Sequence, residues 1–211
     1  LDDYSFYIAG LLDLYEADFD PRWVSLAIEL DKVLENIFED KINGGFYQTS
    51  SKHEVLITRE KPTYDGAIPS GNSVALLNLF RLSEMTGLVK YRNRALGVLQ
   101  AMSSGLKKSP MGMTEAVYGQ FFDEQSPKEI VISVKNNVSE AEEFLRELRK
   151  SYIPHKVVMV VTDAQKAKLA KLLPITDGKI AKSGKPTAYV CQNQICKFPT
   201  TKLPKFIELI K

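Results

Sequence analysis

The sequence of 211 residues has few cysteines and histidines and no long run of apolar residues. Its two cysteines, Cys191 and Cys196, are too few for a disulfide framework in a chain of this size, and they favour a cytoplasmic protein. Its two histidines, His53 and His155, lie in different halves, which argues against a histidine-rich metal site. No run of about 18 apolar residues occurs, so we predict no membrane-spanning helix. The sequence indicates neither a metal nor a cofactor.

The beginning of the sequence does not have the pattern of a targeting segment. It starts with Leu1, Asp2 and Asp3, whereas a signal peptide has a basic segment followed by an apolar one. It also has no initiating methionine, and we therefore expect a processed or excised piece of a longer protein.

Charge is distributed unevenly along the chain. Residues 1–125 carry 12 Lys and Arg against 18 Asp and Glu, a net charge of −6, while residues 126–211 carry 16 against 8, a net charge of +8. Such asymmetry can indicate contact with nucleic acid. The lysines are scattered singly, however, and no basic cluster or nucleic-acid-reading motif occurs. We therefore predict two domains of different charge and no nucleic-acid partner.

The first half has the apolar spacing of amphipathic helices joined by short connections, which is typical of antiparallel helical hairpins. Asp20 and Pro21 indicate the N-cap and the first position of the second helix. The stretch that includes 46–49 and 55–58 predicts a short β excursion or an ordered loop. The predicted helices cover 3–17, capped by Asp2 or Asp3; 21–37; 73–86, capped by Ser70 or Asn72; 89 or 91 to about 104; and about 113–122.

The second half changes pattern near residues 125–127. Apolar runs at 129–134 and 156–162 predict two strands, and the amphipathic stretch 139–151, capped by Ser139, predicts a helix between them. This order favours a parallel βαβ unit. We expect a short helix over 164–173, a β hairpin over 187–198 and a last helix from about Leu203. The fold class is thus mainly α plus α/β, with helical hairpins in 1–125 and a small α/β domain in 126–211.

The densest group of polar residues covers positions 59–73, immediately before an apolar helix. Loops on a rigid scaffold often carry function, so Asp65 could have a chemical task. A structural interpretation is equally open, because Ser70, Asn72 and Ser73 are residues that cap helices.

Carboxylates in this group and at the start of the chain could form a site for a sugar. If the helices close into a ring, the N-termini of the inner helices point towards one mouth, where Asp2, Asp3, Asp65 and Asn72 could converge. A pair of carboxylates across a cleft is the machinery of glycoside chemistry. We predict Asp2, Asp3 and Asp65 as catalytic residues. The predicted substrate-binding residues are Tyr4, Tyr64, Ser70, Asn72 and Arg59.

Cys191 and Cys196 are separated by four residues. If Asn193 and Gln194 form a two-residue turn, the cysteines face each other across a hairpin and could form a disulfide or half of a metal site. The interpretation that we favour is two buried thiols side by side.

Several motifs occur in an order that resembles a known family. They are LDDY at 1–4, GLLDLY at 10–15, YDGAIPSGNS at 64–73, and TAYVC at 187–191 followed by Cys196. In these motifs the chain resembles the C-terminal part of the spermatogenesis-associated, thioredoxin-domain-containing proteins, over essentially its whole length.

The resemblance implies an N-terminal thioredoxin-like domain followed by a six-hairpin α/α toroid, similar to N-acylglucosamine 2-epimerases and some glycoside-processing enzymes. The thioredoxin-like domain and the first hairpins are absent from this sequence. We therefore expect a partial α/α toroid followed by a small α/β unit. Those epimerases use histidines in the pocket, and only His53 lies in a suitable place, so an epimerase mechanism is not supported within this chain.

Two functions follow from the resemblance. The first is a carbohydrate-binding or carbohydrate-processing toroid, glycosidase-like or sugar-isomerase-like, whose fragment alone is inactive. The alternative is a non-catalytic binding or scaffold module partnered with a thioredoxin-like domain. The expected partners are a sugar, the missing N-terminal domains and, because missing hairpins would expose apolar helix faces, a second copy of the chain.

Overall fold

The computed structural model describes residues 1–54, 57–193 and 195–211. The chain divides into two compact units. The helical unit contains Leu1–Tyr15, Asp20–Ser83 and Leu88–Glu124, and the α/β unit contains Glu16–Phe19, Glu84–Gly87 and Gln125–Lys211. The fold class is therefore α plus α/β, as the sequence indicates.

The described residues of the helical unit form five α-helices. The second begins where the sequence predicts, because the Asp20 carboxylate accepts the backbone N–H of Arg22 at 2.9 Å and Pro21 occupies the first helical position. The fourth extends four residues beyond the predicted end, to Lys108. The helices are α1 (Asp2–Asp18), α2 (Pro21–Ile37), α3 (Gly71–Thr86), α4 (Val89–Lys108) and α5 (Thr114–Glu124).

Helices α1 and α3 run in the same direction. The side-chain amide of Asn78 donates to the carbonyl oxygen of Ser5 at 2.8 Å, and Arg81 forms an ion pair with Asp13 at 2.8 Å. At the first turn of both helices, a Cβ atom on Gly71 would overlap the carboxylate of Asp2. Glycine at position 71 is what allows the two helix starts to approach so closely.

Helix α5 begins at the same end of the unit as α3. The loop residue Asp65 bonds to backbone N–H groups at the start of both helices, and further along a Cβ atom on Gly119 would lie 3.1 Å from the side chain of Leu76. The starts of α1, α3 and α5 therefore lie together at one end of the helical unit.

The described part of the loop between α2 and α3 is held by polar contacts rather than by strands. One isolated bridge joins Glu39 to Phe46, and the predicted β excursion has no further pairing among the described residues. Val55 and Leu56, which belong to that predicted excursion, lie outside the described residues.

The α/β unit contains a mixed sheet with the strand order β2–β1–β3–β4. Strand β1 pairs in parallel with β2 and antiparallel with β3, which in turn pairs antiparallel with β4. Except for its first residue, β1 is buried throughout, as expected for a strand covered on both faces. The strands are β1 (Lys128–Val134), β2 (Lys156–Thr162), β3 (Thr187–Gln192) and β4 (Ile195–Cys196).

Three helices complete this unit: α6 (Glu142–Lys150), α7 (Lys166–Leu172) and α8 (Leu203–Ile210). The predicted cap of α6 is wrong. A 3-10 turn over Val138–Ala141 precedes the helix, and Asn137 rather than Ser139 caps that turn, in a reciprocal capping box with Glu140. In this box the Glu140 carboxylate accepts the backbone N–H of Asn137, whereas the Ser139 hydroxyl donates to the Asn137 side chain.

The cysteines correct a second expectation. Cys191 and Cys196 form a disulfide, so the favoured interpretation of two buried free thiols is wrong. The two cysteines can bond because the register of the strands makes Cys191 on β3 the direct cross-strand partner of Cys196 on β4. Only Cys191 is buried, and Cys196 is exposed. Gln194, part of the predicted turn, lies outside the described residues.

In the part of the chain that the structure describes, no helix is both long and apolar enough to cross a membrane.

Candidate functional site

The common end of α1, α3 and α5 brings together four residues that the sequence singles out. Asp2 lies in the first turn of α1 and Asn72 in the first turn of α3. Ser70 is the residue immediately before α3. Asp65 connects the start of α3 to the start of α5. We call these four residues the helix-start cluster.

Asp65 is buried, with 8% of its surface exposed, and its carboxylate accepts backbone N–H groups from two helix starts. Oδ1 accepts from Ser70 at 2.8 Å. Oδ2 accepts from Glu115 at 2.9 Å and from Ala116 at 3.4 Å. Asp65 therefore caps α5 from a position some 50 residues earlier in the chain.

Asp2 combines one satisfied and one unsatisfied carboxylate oxygen. Its Oδ2 atom accepts the side-chain amide of Gln48 at 2.9 Å. Among the described residues, its Oδ1 atom and the Oε1 atom of Gln48 are buried without a hydrogen-bond partner. Unsatisfied buried side-chain oxygens are uncommon in proteins, and these two belong to side chains that are bonded to each other.

Ser70 and Asn72 hold the backbone around this cluster. The Ser70 hydroxyl accepts the backbone N–H of Ser73 at 3.2 Å, which makes Ser70 rather than Asn72 the capping side chain of α3. The Asn72 side chain accepts from the backbone N–H of Phe46 at 2.7 Å and donates to the carbonyl oxygens of Phe46 and Pro62 at 2.9 and 2.8 Å.

Asp3 and Tyr4 lie beside the cluster, in an open groove of about 620 Å³. Its other lining residues are Phe6, Tyr7 and Leu30. Asp3 is exposed, and 59% of the surface of Tyr7 is exposed, so a carboxylate and an aromatic face are both accessible from solvent. Tyr4 also contacts Phe38, with 5.5 Å between ring centroids.

Arg59 is engaged within the loop rather than at the helix-start cluster. Its guanidinium lies over the ring of Tyr47, 4.0 Å from the centroid, and donates to the carbonyl oxygen of Thr49 at 2.5 Å. On the same ring, Lys61 lies 4.8 Å from the centroid and forms an ion pair with Asp40 at 2.5 Å.

The contacts of Asp40 shift two pKa values. The ammonium of Lys61 and the backbone N–H groups of Asn43 and Ile42 hold the pKa of Asp40 well below its usual range. The hydrogen bond that Tyr47 donates to Asp40 at 2.8 Å raises the pKa of the Tyr47 phenol. This network fixes the loop that carries the helix-start cluster.

Tyr64 precedes Asp65 and exposes 74% of its surface. Its ring lies close to Gly66 and Gly112, where Cβ atoms would lie 3.3 and 3.0 Å from ring carbons. The aromatic face next to Asp65 is thus open to solvent.

Glu115 is a further carboxyl group at this end of the unit that the sequence did not indicate. Burial raises the pKa of Glu115, and the negative charge of Asp65 raises it further. The only signal in the sequence is its place in the first turn of α5, where acidic residues are common for reasons of helix stability.

The described residues contain no group of three or more His, Cys, Asp or Glu side chains that could hold a metal ion.

Comparison with known proteins finds relatives that match almost the whole chain. It is 32% identical over 202 residues to spermatogenesis-associated protein 20 of Homo sapiens and 31% identical to the protein of that name of Rattus norvegicus. An uncharacterised protein of Caenorhabditis elegans is 24% identical over 208 residues. The matched residues are 95% of this chain but 26% of the human and rat proteins, so the chain spans about a quarter of their length. No protein-family model matches.

Proposed function

Because the chain belongs to the spermatogenesis-associated protein 20 family, as a C-terminal part of it, we propose that its helical unit is part of an α/α toroid that binds a carbohydrate. The observation that carries this proposal is the common starting point of α1, α3 and α5. In a toroid of helical hairpins, alternate helices form the inner layer and begin at one mouth.

The side chains at this end have the chemistry that a sugar requires. The groove formed by Asp3, Tyr4 and Tyr7 offers a carboxylate for hydroxyl groups and aromatic faces for the apolar side of a sugar ring. Tyr64, Ser70, Asn72 and Arg59 complete or support the proposed binding site.

For the whole protein we propose a glycosidase-like or sugar-isomerase-like reaction that uses carboxyl groups. Asp2, Asp3 and Asp65 are the proposed catalytic carboxylates, and Glu115 joins them. The support is the difference between Asp65 and Glu115. Asp65 accepts three backbone N–H groups, while burial and the charge of Asp65 raise the pKa of Glu115. A carboxyl group with a raised pKa next to a second carboxyl group that accepts backbone hydrogen bonds is the kind of pair that acid–base catalysis uses.

Binding can be measured on this chain alone. Thermal unfolding, followed through the fluorescence of Trp23 in the helical unit, is recorded with a panel of mono- and disaccharides. We expect one sugar class to raise the unfolding temperature, because a ligand that binds the folded state stabilises it. The shift should be lost in Asp3→Asn and Tyr7→Ala. It should remain in the matched controls Asp163→Asn and Tyr152→Ala, which change exposed residues of the α/β unit. A panel without any shift, or a shift that survives both groove variants, contradicts the proposal.

The exposed apolar side chains of α1 favour the alternative, a non-catalytic module that docks onto the rest of the same protein. Phe6, Tyr7 and Leu14 are exposed at 38%, 59% and 47%, and the relatives are about four times as long as the chain. Copurification with the separately expressed remainder of the protein, abolished by Leu14→Glu, would support docking. A concentration-dependent dimer would instead indicate self-association.

We also propose a cytoplasmic location, in which the Cys191–Cys196 bond would be an exchangeable rather than a permanent disulfide. Fractionation of cells that express the full-length protein tests it.

A further inference from the structure

The disulfide of the α/β unit has features that a purely structural cross-link does not need. Cys191 and Cys196 are only five residues apart, so their bond closes a short loop and restricts the unfolded chain little. The sheet has its own apolar core, in which Ile130, Ile132 and Val160 are fully buried. The fold of the unit therefore does not depend on this bond.

The two sulfur atoms differ in accessibility. Cys191 is buried, with 1% of its surface exposed, whereas Cys196 lies on the two-residue edge strand β4 and is exposed. An attacking thiolate from outside can therefore reach the sulfur of Cys196, and the buried sulfur of Cys191 is the leaving group. Ile195 and Phe198, exposed at 70% and 96%, flank Cys196 and offer apolar contacts to a partner that approaches it.

A carboxyl group lies next to the leaving sulfur. Glu129 on β1 is the direct cross-strand partner of Cys191, and side chains that pair directly across antiparallel strands lie on the same face. Glu129 is itself buried, with 2% of its surface exposed. One row thus crosses three strands, from buried Glu129 through buried Cys191 to exposed Cys196.

Among the described residues, a tyrosine, a valine and a lysine lie near Glu129. On β3, Tyr189 lies two residues from Cys191 on the same face, and its hydroxyl donates to the carbonyl oxygen of Ile180 at 2.9 Å. On β2, the residue paired with Glu129 is the uncharged Val157. The ammonium of Lys179 interacts with Glu129 and Asp177, and burial lowers the pKa of Lys179 despite these two negative charges.

We propose that Cys191 and Cys196 form a redox-active disulfide that exchanges electrons with an external dithiol, with Glu129 as the acid–base group for Cys191. A thiolate of the dithiol attacks Sγ of Cys196, the disulfide bond breaks, and its electron pair goes to Sγ of Cys191. Cys191 takes a proton that the Glu129 carboxyl group first takes from solvent and then passes on. The second thiolate of the dithiol attacks the mixed disulfide and releases Cys196. Two electrons pass to the protein, and the dithiol becomes a disulfide.

The test uses the folded chain with dithiothreitol as the dithiol. Reduction is stopped by alkylation at successive times and quantified by intact mass, while near-ultraviolet circular dichroism reports the tertiary structure. We expect complete reduction in buffer without denaturant, with the circular dichroism retained. Reduction that occurs only in denaturant, or that unfolds the protein, would overturn the proposal.

Glu129→Gln separates an acid–base role from a purely structural one. We expect this variant to reduce and reoxidise at least about tenfold more slowly at neutral pH, a conservative value for a positioned acid–base group. It should also lose one ionisation from the dependence of the rate on pH. Glu143→Gln, a change at an exposed residue of α6, is the matched control and should react at the wild-type rate.

If Glu129→Gln does not fold, the dependence of the wild-type reduction rate on pH supplies the same information. It should show two ionisations, one from the dithiol and one from Glu129. Wild-type rates and pH profiles in Glu129→Gln, or a wild-type profile with the ionisation of the dithiol alone, would overturn the assigned role.

Discussion

Replacing Asp65 with alanine is expected to destabilise the helical unit by about 3 kcal/mol. The carboxylate is buried and accepts the backbone N–H groups of Ser70, Glu115 and Ala116. Loss of a helix cap costs about 1 kcal/mol. Each buried donor left without an acceptor costs about 1–3 kcal/mol, although water can reach part of the helix start and the costs do not add fully.

Asp65→Asn tests the bond to Ser70 against the bonds to the start of α5, because it removes one of the two acceptor oxygens. The amide keeps one acceptor oxygen, so either the Ser70 bond or the α5 cap survives, and we expect a loss of about 1–2 kcal/mol. Asp3→Ala is the matched control, because Asp3 is exposed at the start of α1 and its replacement should cost less than about 0.5 kcal/mol.

Urea denaturation followed by tryptophan fluorescence measures the free energy of unfolding of the helical unit. The single tryptophan, Trp23, lies in α2 of the helical unit, so the α/β unit does not contribute to the tryptophan signal. With an m-value of ~1.5–2 kcal/mol/M, the midpoint for Asp65→Ala should fall by roughly 1.5–2 M urea. A midpoint within about 0.3 M of the wild-type value would refute the conclusion that Asp65 joins α3 to α5.

Four further substitutions test other parts of the helical unit with the same assay. Gly71→Ala should destabilise it by about 2 kcal/mol because the new Cβ overlaps Asp2, whereas Gly10→Ala, with open space around the site, should stabilise α1 by up to ~1 kcal/mol. The pKa of Asp40 is lower in the folded state than in the unfolded state, so the ion pair of Asp40 with Lys61 stabilises the fold above pH ~4. This stabilisation is lost as the pH falls below that value. The wild type should therefore lose more stability than Asp40→Asn between pH 5 and pH 2. Burial raises the pKa of Glu115, so Glu115→Gln should be more stable than the wild type at pH 7. This difference should vanish below pH ~4, where Glu115 is protonated in both the folded and the unfolded state. A difference that does not change across this range would contradict the raised pKa of Glu115.

Sequence patterns were sufficient where local chemistry decides the structure. Strand β2 has the predicted bounds, β1 begins one residue before its predicted start, and α2 begins at Pro21 after its Asp20 cap. In each case the apolar period and the cap lie within a few residues of the element that they define.

The sequence was insufficient where two distant segments meet. Nothing near Asp65 indicates that it caps a helix starting at Thr114, and the pKa of Glu115 depends on burial in the folded state. The disulfide depends on the register of β3 and β4, and the choice of Asn137 over Ser139 as cap depends on a 3-10 turn before α6. The catalytic and binding roles of the helix-start cluster stay predictions.

The strand order has a consequence for how the α/β unit forms during synthesis. Strand β1 lies between β2 and β3, and the last residue of β3 is added 58 residues after Val134 ends β1. At ~5–20 residues per second, one edge of this apolar strand stays unpaired for roughly 3–12 seconds. An exposed strand edge can pair with another chain. The yield of correctly folded protein should therefore depend on the speed of translation through residues 135–192 and on chaperones that cover β1 during that interval.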